Sequence, residues 1–215
     1  MSKSPAVVPN PKQARAEPTV QALVDATIDM LEERGEAGLR IDELLEVTGV
    51  SRGSLYHHFG GREGLIDAAM VVQFGRLVST DLDRLDSALL AAATPEEMLE
   101  NLRAVTTEVQ QPERAIGRLR RAAIIGTSAT RPRLAAALAD EQQRLTDRFE
   151  ELVTELQRRG WVRDDLDPRA IAVFVQAFTI GQMLTEIDNK PVPTDRWLEV
   201  VSTVIFDALI TPTAR

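Results

Sequence analysis

The stretch VSRGSLYHHFGGREGL, Val50 to Leu65, decides how this chain of 215 residues is read. The formal charge of the whole chain is −8, yet no Asp or Glu stands between Val50 and Arg62. That segment instead holds Arg52, Arg62, the single tyrosine Tyr56 and both histidines, His57 and His58, with Gly53, Gly60 and Gly61 threaded among them. Ser51 is placed to cap a helix. Val50 precedes the cap and Leu55 follows it by four residues, the spacing of a hydrophobic staple. Leu55 and Phe59 then point inward, and Gly60-Gly61 ends the helix.

Working upstream, Val20, Leu23, Val24, Thr27, Ile28 and Leu31 recur along one face of an amphipathic helix that the pattern starts at Pro18 and stops at Gly35. A short second helix carries Ile41, Leu44 and Leu45 inward, with Asp42 and Glu43 near its positive end. The turn Thr48-Gly49-Val50-Ser51 joins it to the third. Three short helices joined in this way have the length and turn chemistry of a helix-turn-helix, whose last helix lies in the major groove of double-stranded DNA.

Each odd feature of the stretch then has a physical use. Gly53 in mid-helix costs ~1 kcal/mol relative to Ala, which is tolerable where a side chain would hold the backbone off the groove. Arg52 can reach guanine O6 and N7 with two hydrogen bonds. Ser51 caps, Ser54 suits bases or phosphates, and Tyr56 and His57 suit phosphate oxygens. Arg62 opens the next helix, where free N–H groups already favour an anion. A solvated helix that happens to lack acids, with Tyr56 packed on a neighbour, is the plain alternative.

Downstream, periodicity and breaks predict six more helices, roughly 62–92, 95–110, 113–128, 132–159, 168–188 and 195–209. No segment alternates with period two between turn signals, so the expected fold is all-α, with about nine helices. Residues 1–17, with three prolines and few apolar residues, read as a flexible, mildly basic arm. With 44% apolar residues the chain can bury a sizeable core. No run approaches the ~18 uninterrupted apolar residues of a membrane span. The absence of cysteine removes thiolate chemistry and suits a cytoplasmic location.

The composition and motifs argue against an enzyme. His57 and His58 point about 100° apart on a helix and cannot chelate a metal as a pair. No Gly-x-Ser-x-Gly, phosphate loop or dinucleotide fingerprint occurs, so neither cofactor nor metal is expected. A helical adaptor that binds another protein is the rival reading, and it would tolerate alanine across the Arg52–Arg62 surface.

The run IDELLEVTGVSRGSLYHHFGGREGL, Ile41 to Leu65, resembles the tetracycline-repressor-like (TetR) family of transcriptional regulators. The shared pattern is Gly-Val-Ser, a basic residue, Gly, Ser or Thr, Leu-Tyr, two variable positions, Phe, and a basic–acidic pair. Two positions depart from it: Arg40 stands where the family usually has Thr or Ser capping the second helix, and Leu45 replaces a frequent Ala. Arg40 could itself reach a phosphate. The resemblance implies a helix-turn-helix domain over residues 18–64 and an effector-binding and dimerisation domain over 65–215, acting as a repressor released from a palindromic operator by a small molecule.

In the larger half, the helix over 168–188 is apolar on nearly every face, as expected inside a bundle or between subunits. Ala177 and Gly181 would allow a neighbouring helix to approach closely. With Trp197, Val201, Val204 and Ile205 of the last helix they form the expected homodimer interface. Candidate walls for a mainly apolar effector are Met70, Phe74, Met98, Phe149, Trp161, Phe174, Phe178 and Met183, with Gln176, Thr179 and Gln182 as polar contacts. Arg114, Arg118 and Arg121 share one helix face. The expectation there is a solvated face paired with acids, and a contact to an anionic effector is the sharper alternative.

Overall fold

The computed structural model of the chain describes residues 11–210, and these are mainly helical. The helices are α1 (Pro11–Gly38), α2 (Ile41–Thr48), α3 (Arg52–Phe59), α4 (Arg62–Leu90), α5 (Pro95–Val109), α6 (Ala115–Ser128), α7 (Pro132–Arg158), α8 (Pro168–Gly181), α9 (Met183–Glu186) and α10 (Thr194–Ala208). A 3-10 turn, Pro112–Arg114, precedes α6. No strand forms among the described residues, only an isolated antiparallel bridge between Val162 and Ile210. Two compact units divide at Gln73 and Phe74, so α4 supplies residues to both.

Of the expected arm, residues 1–10 lie outside the described residues, and the remainder is helical because α1 starts at Pro11. The segment Lys12-Gln13-Ala14-Arg15-Ala16-Glu17 consists of good helix formers, which outweigh the penalty of Pro18 inside the helix. Gly35 interrupts α1, with φ 67° and ψ 178°.

In the first unit, α1 packs its stripe of Leu23, Val24 and Ile28 on α2 and α3. Leu44 of α2 and Leu55 of α3 are fully buried, and Leu65, Ile66 and Ala69 from the first turns of α4 close the core. Fully burying one such leucine contributes about 1.5–3 kcal/mol. Thr27 is also buried, and its hydroxyl donates to the Leu23 carbonyl at 2.6 Å, so no polar group is stranded. Gly64 sets the approach of α4 to α3: a Cβ there would lie 1.9 Å from the Phe59 carbonyl oxygen.

In the second unit, α7 lies along α8, and α6 packs on both. Prolines at the first helical positions and side-chain caps start several of these helices, Thr94 accepting from the Glu97 N–H at 3.2 Å and Asp167 from the Ala170 N–H at 2.7 Å. Gln142 donates to Thr146 Oγ1 at 2.9 Å and to Gln176 Oε1 at 2.8 Å, joining α7 to α8. The helix expected over 168–188 breaks after Gly181. The chain turns at Gln182 and resumes as α9, which delivers Glu186 to the buried Arg118 of α6.

Candidate nucleic-acid interface and effector cavity

Helix α3 begins as its sequence dictates. Ser51 has extended backbone, φ −71° and ψ 148°, and its Oγ accepts from the Ser54 N–H at 3.1 Å. Gly49 and Gly60 take left-handed conformations at φ 67° and φ 72°, ending α2 and α3. The turn is further held by Thr48, whose hydroxyl donates to the Leu44 carbonyl at 2.8 Å. Leu55 is buried and Phe59 half-buried, so the opposite side of α3 faces outward with Arg52, Gly53, Tyr56, His57 and His58 exposed and Ser54 half-buried. Arg40, before α2, is exposed and makes no capping hydrogen bond, in keeping with the departure from Thr or Ser.

Gly53 has no internal explanation. A Cβ there would meet only Ser51 Oγ, at 3.9 Å, so the fold itself would accept alanine. The Tyr56 ring lies against Gly61, where an added Cβ would be 3.5 Å from it, leaving the phenol end outward.

Two cations of the stretch have partners that the sequence did not disclose. Arg52 is ion-paired with Asp42 of α2, both side chains being more than half exposed. An exposed pair of this kind is worth about 0–1 kcal/mol, less than the ~1–3 kcal/mol of a bidentate guanine contact, so the pair can exchange for a base. Arg62 donates to the Glu36 carbonyl and pairs with Glu63 at 3.1 Å, so it ties the end of α1 to the start of α4. Its first role is in the fold.

The second unit contains a cavity of about 170 Å³ lined from α4, α5, α6, α7, α8 and α10. Of the expected walls, Phe149, Gln176, Phe178 and Thr179 line it. The other candidates stand elsewhere. Met70 packs on the core of the first unit, while Phe74 and Met98 are filled-in core of the second. Trp161 stacks under Arg159 at 5.0 Å, and Phe174 is exposed. Gln182 donates to the Gln110 carbonyl at 2.8 Å, and Met183 belongs to α9. The cavity walls are mainly leucine and valine, with few aromatic rings.

The arginine cluster is the larger correction. Arg118 and Arg121 are buried in the cavity wall, at 6% and 7% exposure, and are not a solvated face. Arg118 is fully engaged: Nε donates to Glu186 at 2.7 Å, and the guanidinium also reaches the carbonyls of Val109 at 2.8 Å and Gln111 at 3.2 Å, beyond the negative end of α5. Arg114 pairs with Asp81 at 3.1 Å. Burial pushes the Asp81 carboxyl above its ordinary range, and Arg114 and Arg84 only partly pull it back. Arg121 lies with its guanidinium 5.0 Å over the Phe74 ring, its Nε buried and without a hydrogen-bond partner. Desolvation lowers its pKa to about 10, so it remains a cation at neutral pH.

Among the expected interface residues, Ala177 and Val204 are exposed and Gly181 and Trp197 half-buried. Val201 and Ile205 are instead buried within the subunit, where Ile205 lines the cavity. Trp197 donates Nε1–H to Gln110 Oε1 at 2.9 Å. Val173 and Phe174 of α8, Leu184 of α9 and Val200 of α10 are also apolar and exposed.

An outward surface that carries Arg52 and no acid, on the second helix of a tight helix pair, is the equipment of a major-groove reader, and the class is that of helix-turn-helix DNA-binding transcriptional regulators. Residues 23–69 match the family described as bacterial regulatory proteins, tetR family. Residues 95–209 match the BetI-type transcriptional repressor C-terminal family. The chain belongs to the TetR family. It is similar to the HTH-type transcriptional repressor DhaR of Mycobacterium sp. strain GP1, 28% identical across 91% of this chain and 94% of that protein. Similarity to the regulator BetI of Rhizobium meliloti is 32% over 42% of this chain and 43% of that protein. The fold is shared with a TetR-family regulator of Cytophaga hutchinsonii (TM-score 0.64, 20% identity, 92% of this chain and 98% of that one). It is shared too with a transcriptional regulator of Saccharomonospora viridis solved in complex with choline (TM-score 0.61, 17% identity, 91% and 99%). Among the described residues, no helix is long and apolar enough to cross a membrane.

Proposed function

We propose that this DNA-binding regulator is a homodimeric repressor that reads a palindromic operator through α3 and is released when a small molecule fills the cavity of its second unit. The observation that carries the DNA-reading part is Gly53. It is a glycine in the first turn of α3 with open space around it, beside an exposed Arg52 and a surface whose helix contributes no acid. A glycine that lowers helix propensity by up to ~1 kcal/mol and serves no internal contact is explained by close approach of an external backbone. In this reading Arg52 reads bases, Ser51, Ser54, Tyr56 and His57 hold phosphates and bases, and Arg40 extends the phosphate contacts. Arg62 assists by fixing the α1–α4 junction.

Dimerisation is supported by exposed apolar side chains on α8 and α10, Val173, Phe174, Val200 and Val204. Two recognition helices about 34 Å apart would meet successive major grooves. Release is supported by the cavity lining, because Leu77, Val78 and Asp81 of α4 belong to the same helix whose first turns complete the N-terminal core. The S. viridis regulator binds choline, a cation. Here the unpaired charge of the cavity is Arg121, so choline is not carried over to this chain.

The test is selection of bound fragments from genomic DNA by the purified protein, beside an Arg52→Ala, Tyr56→Ala variant. The expected result is a palindromic motif enriched by the native protein and lost in the variant. No enrichment at low salt by a folded protein would overturn the reading in favour of an adaptor.

A further inference from the structure

We infer that the cavity of the second unit is built for a small carboxylate with an apolar body, whose head pairs with Arg121. The inference rests on the reading of that cavity as the effector site. Three observations carry it. The first is charge balance. Of the arginines in the wall, Arg118 is matched by Glu186 and Arg114 by Asp81. Arg121 is the one left without a carboxylate or a carbonyl among the described residues, so the cavity holds one uncompensated positive charge.

The second observation is placement. Arg121 is 7% exposed, and its side chain lines the cavity. Its contact with the Phe74 ring satisfies one face of the guanidinium but none of its N–H donors. Buried charges are otherwise paired and hydrogen-bonded, and a planar fork of donors is complementary to a carboxylate.

The third is size and lining. Val78, Leu85, Leu102, Leu152 and Val175 surround the remaining space. A volume of about 170 Å³ is close to the ~150 Å³ of an apolar cavity that accepts benzene. The body of the ligand is therefore one aromatic ring or a short alkyl chain, and a fatty acid of membrane length does not fit.

The experiment is calorimetric titration of the full chain at neutral pH with benzoate and hexanoate, with benzamide and benzylammonium as neutral and cationic isosteres. Native protein, Arg121→Met and Arg121→Lys are compared, each checked for folding by circular dichroism. The expected result is binding of the carboxylates, weakened roughly ten- to a hundredfold by Arg121→Met and less by Arg121→Lys, with benzamide indifferent to the substitution. Equal binding of benzoate and benzamide, retention of benzoate by folded Arg121→Met, or no carboxylate binding at millimolar concentration would each overturn it. Fragment selection, run separately, keeps the two readings apart. Selection of an operator without carboxylate binding sinks only the ligand class. Carboxylate binding that leaves operator affinity unchanged sinks the effector role and leaves the site.

Discussion

Replacing Arg121 with methionine should make the ligand-free protein more stable. Arg121 is 7% exposed, and desolvation lowers its pKa to about 10 with no opposing carboxylate. At 1.36 kcal/mol for each factor of ten, that corresponds to about 3 kcal/mol of cost to the folded state. Methionine keeps most of the buried stem and adapts to the gap. What it forfeits is the contact over Phe74, worth ~0.5–2 kcal/mol. The net gain is ~1–3 kcal/mol, or a rise in Tm of about 2–12 °C for a chain of this length. The sign with pH follows from the depressed folded-state value. The full deficit is present below pH 10 and is relieved only as pH rises from there towards the ordinary guanidinium range. The gain from Arg121→Met should therefore be flat between pH 6 and 9. Differential scanning calorimetry at fixed protein concentration measures it, since dimerisation would otherwise shift Tm. A Tm that falls, or does not move, would mean that Arg121 is satisfied in the folded protein and that the cavity has no charge to offer.

Other substitutions separate the fold from DNA reading. Asp42→Asn removes the competitor for Arg52 and should tighten operator binding by up to about fivefold in fluorescence anisotropy at fixed salt; weaker binding would show that the pair orients Arg52. Gly53→Ala should raise stability by up to ~1 kcal/mol in urea denaturation while lowering operator affinity, and unchanged affinity would refute close approach at that position. Gly64→Ala drives a Cβ to 1.9 Å from the Phe59 carbonyl oxygen and should cost ~1–3 kcal/mol, read as a lower Tm. A Tm equal to the native value would show that the α3–α4 junction relaxes freely.

What the sequence made legible is what local chemistry decides. Ser51, Leu55, Gly49 and Gly60 act within a turn of their own positions, so the limits of α3 and its inner face could be read directly. The partners of the same helix could not. Asp42 stands ten residues before Arg52, and Glu36 lies 26 before Arg62, so each contact depends on how α1, α2 and α4 pack. The cavity was harder still. Large aromatic residues drew attention as walls, but packing filled the space around Phe74 and Met98 and left the void among leucines and valines. The spacing of Arg114, Arg118 and Arg121 placed them on one face, and nothing local said that the face is buried. That depends on Glu186, which stands 68 residues beyond Arg118 and is brought in by the helix break after Gly181.

One arginine of this chain breaks the usual relation between burial and pairing, and the break marks where a ligand is expected. Exposed cations gain little from a partner, whereas buried ones need one. Arg118 follows the rule, with a carboxylate and two carbonyls around it. Arg121, equally buried and three residues along the same helix, breaks it. A difference of that size between neighbours is not accounted for by the fold, because the surrounding helices could have delivered a second acid as α9 delivers Glu186. Natural proteins carry such deficits where function requires them, and the deficit is removed when the partner arrives. Gly53 is the same kind of signal in the other unit: a local rule broken without internal return, on the surface where a partner is expected. Binding at each place should therefore stabilise the protein by more than burial of the ligand alone. For the cavity, the benzoate-induced rise in Tm should be larger in native protein than in Arg121→Met, even though the variant starts from the higher value.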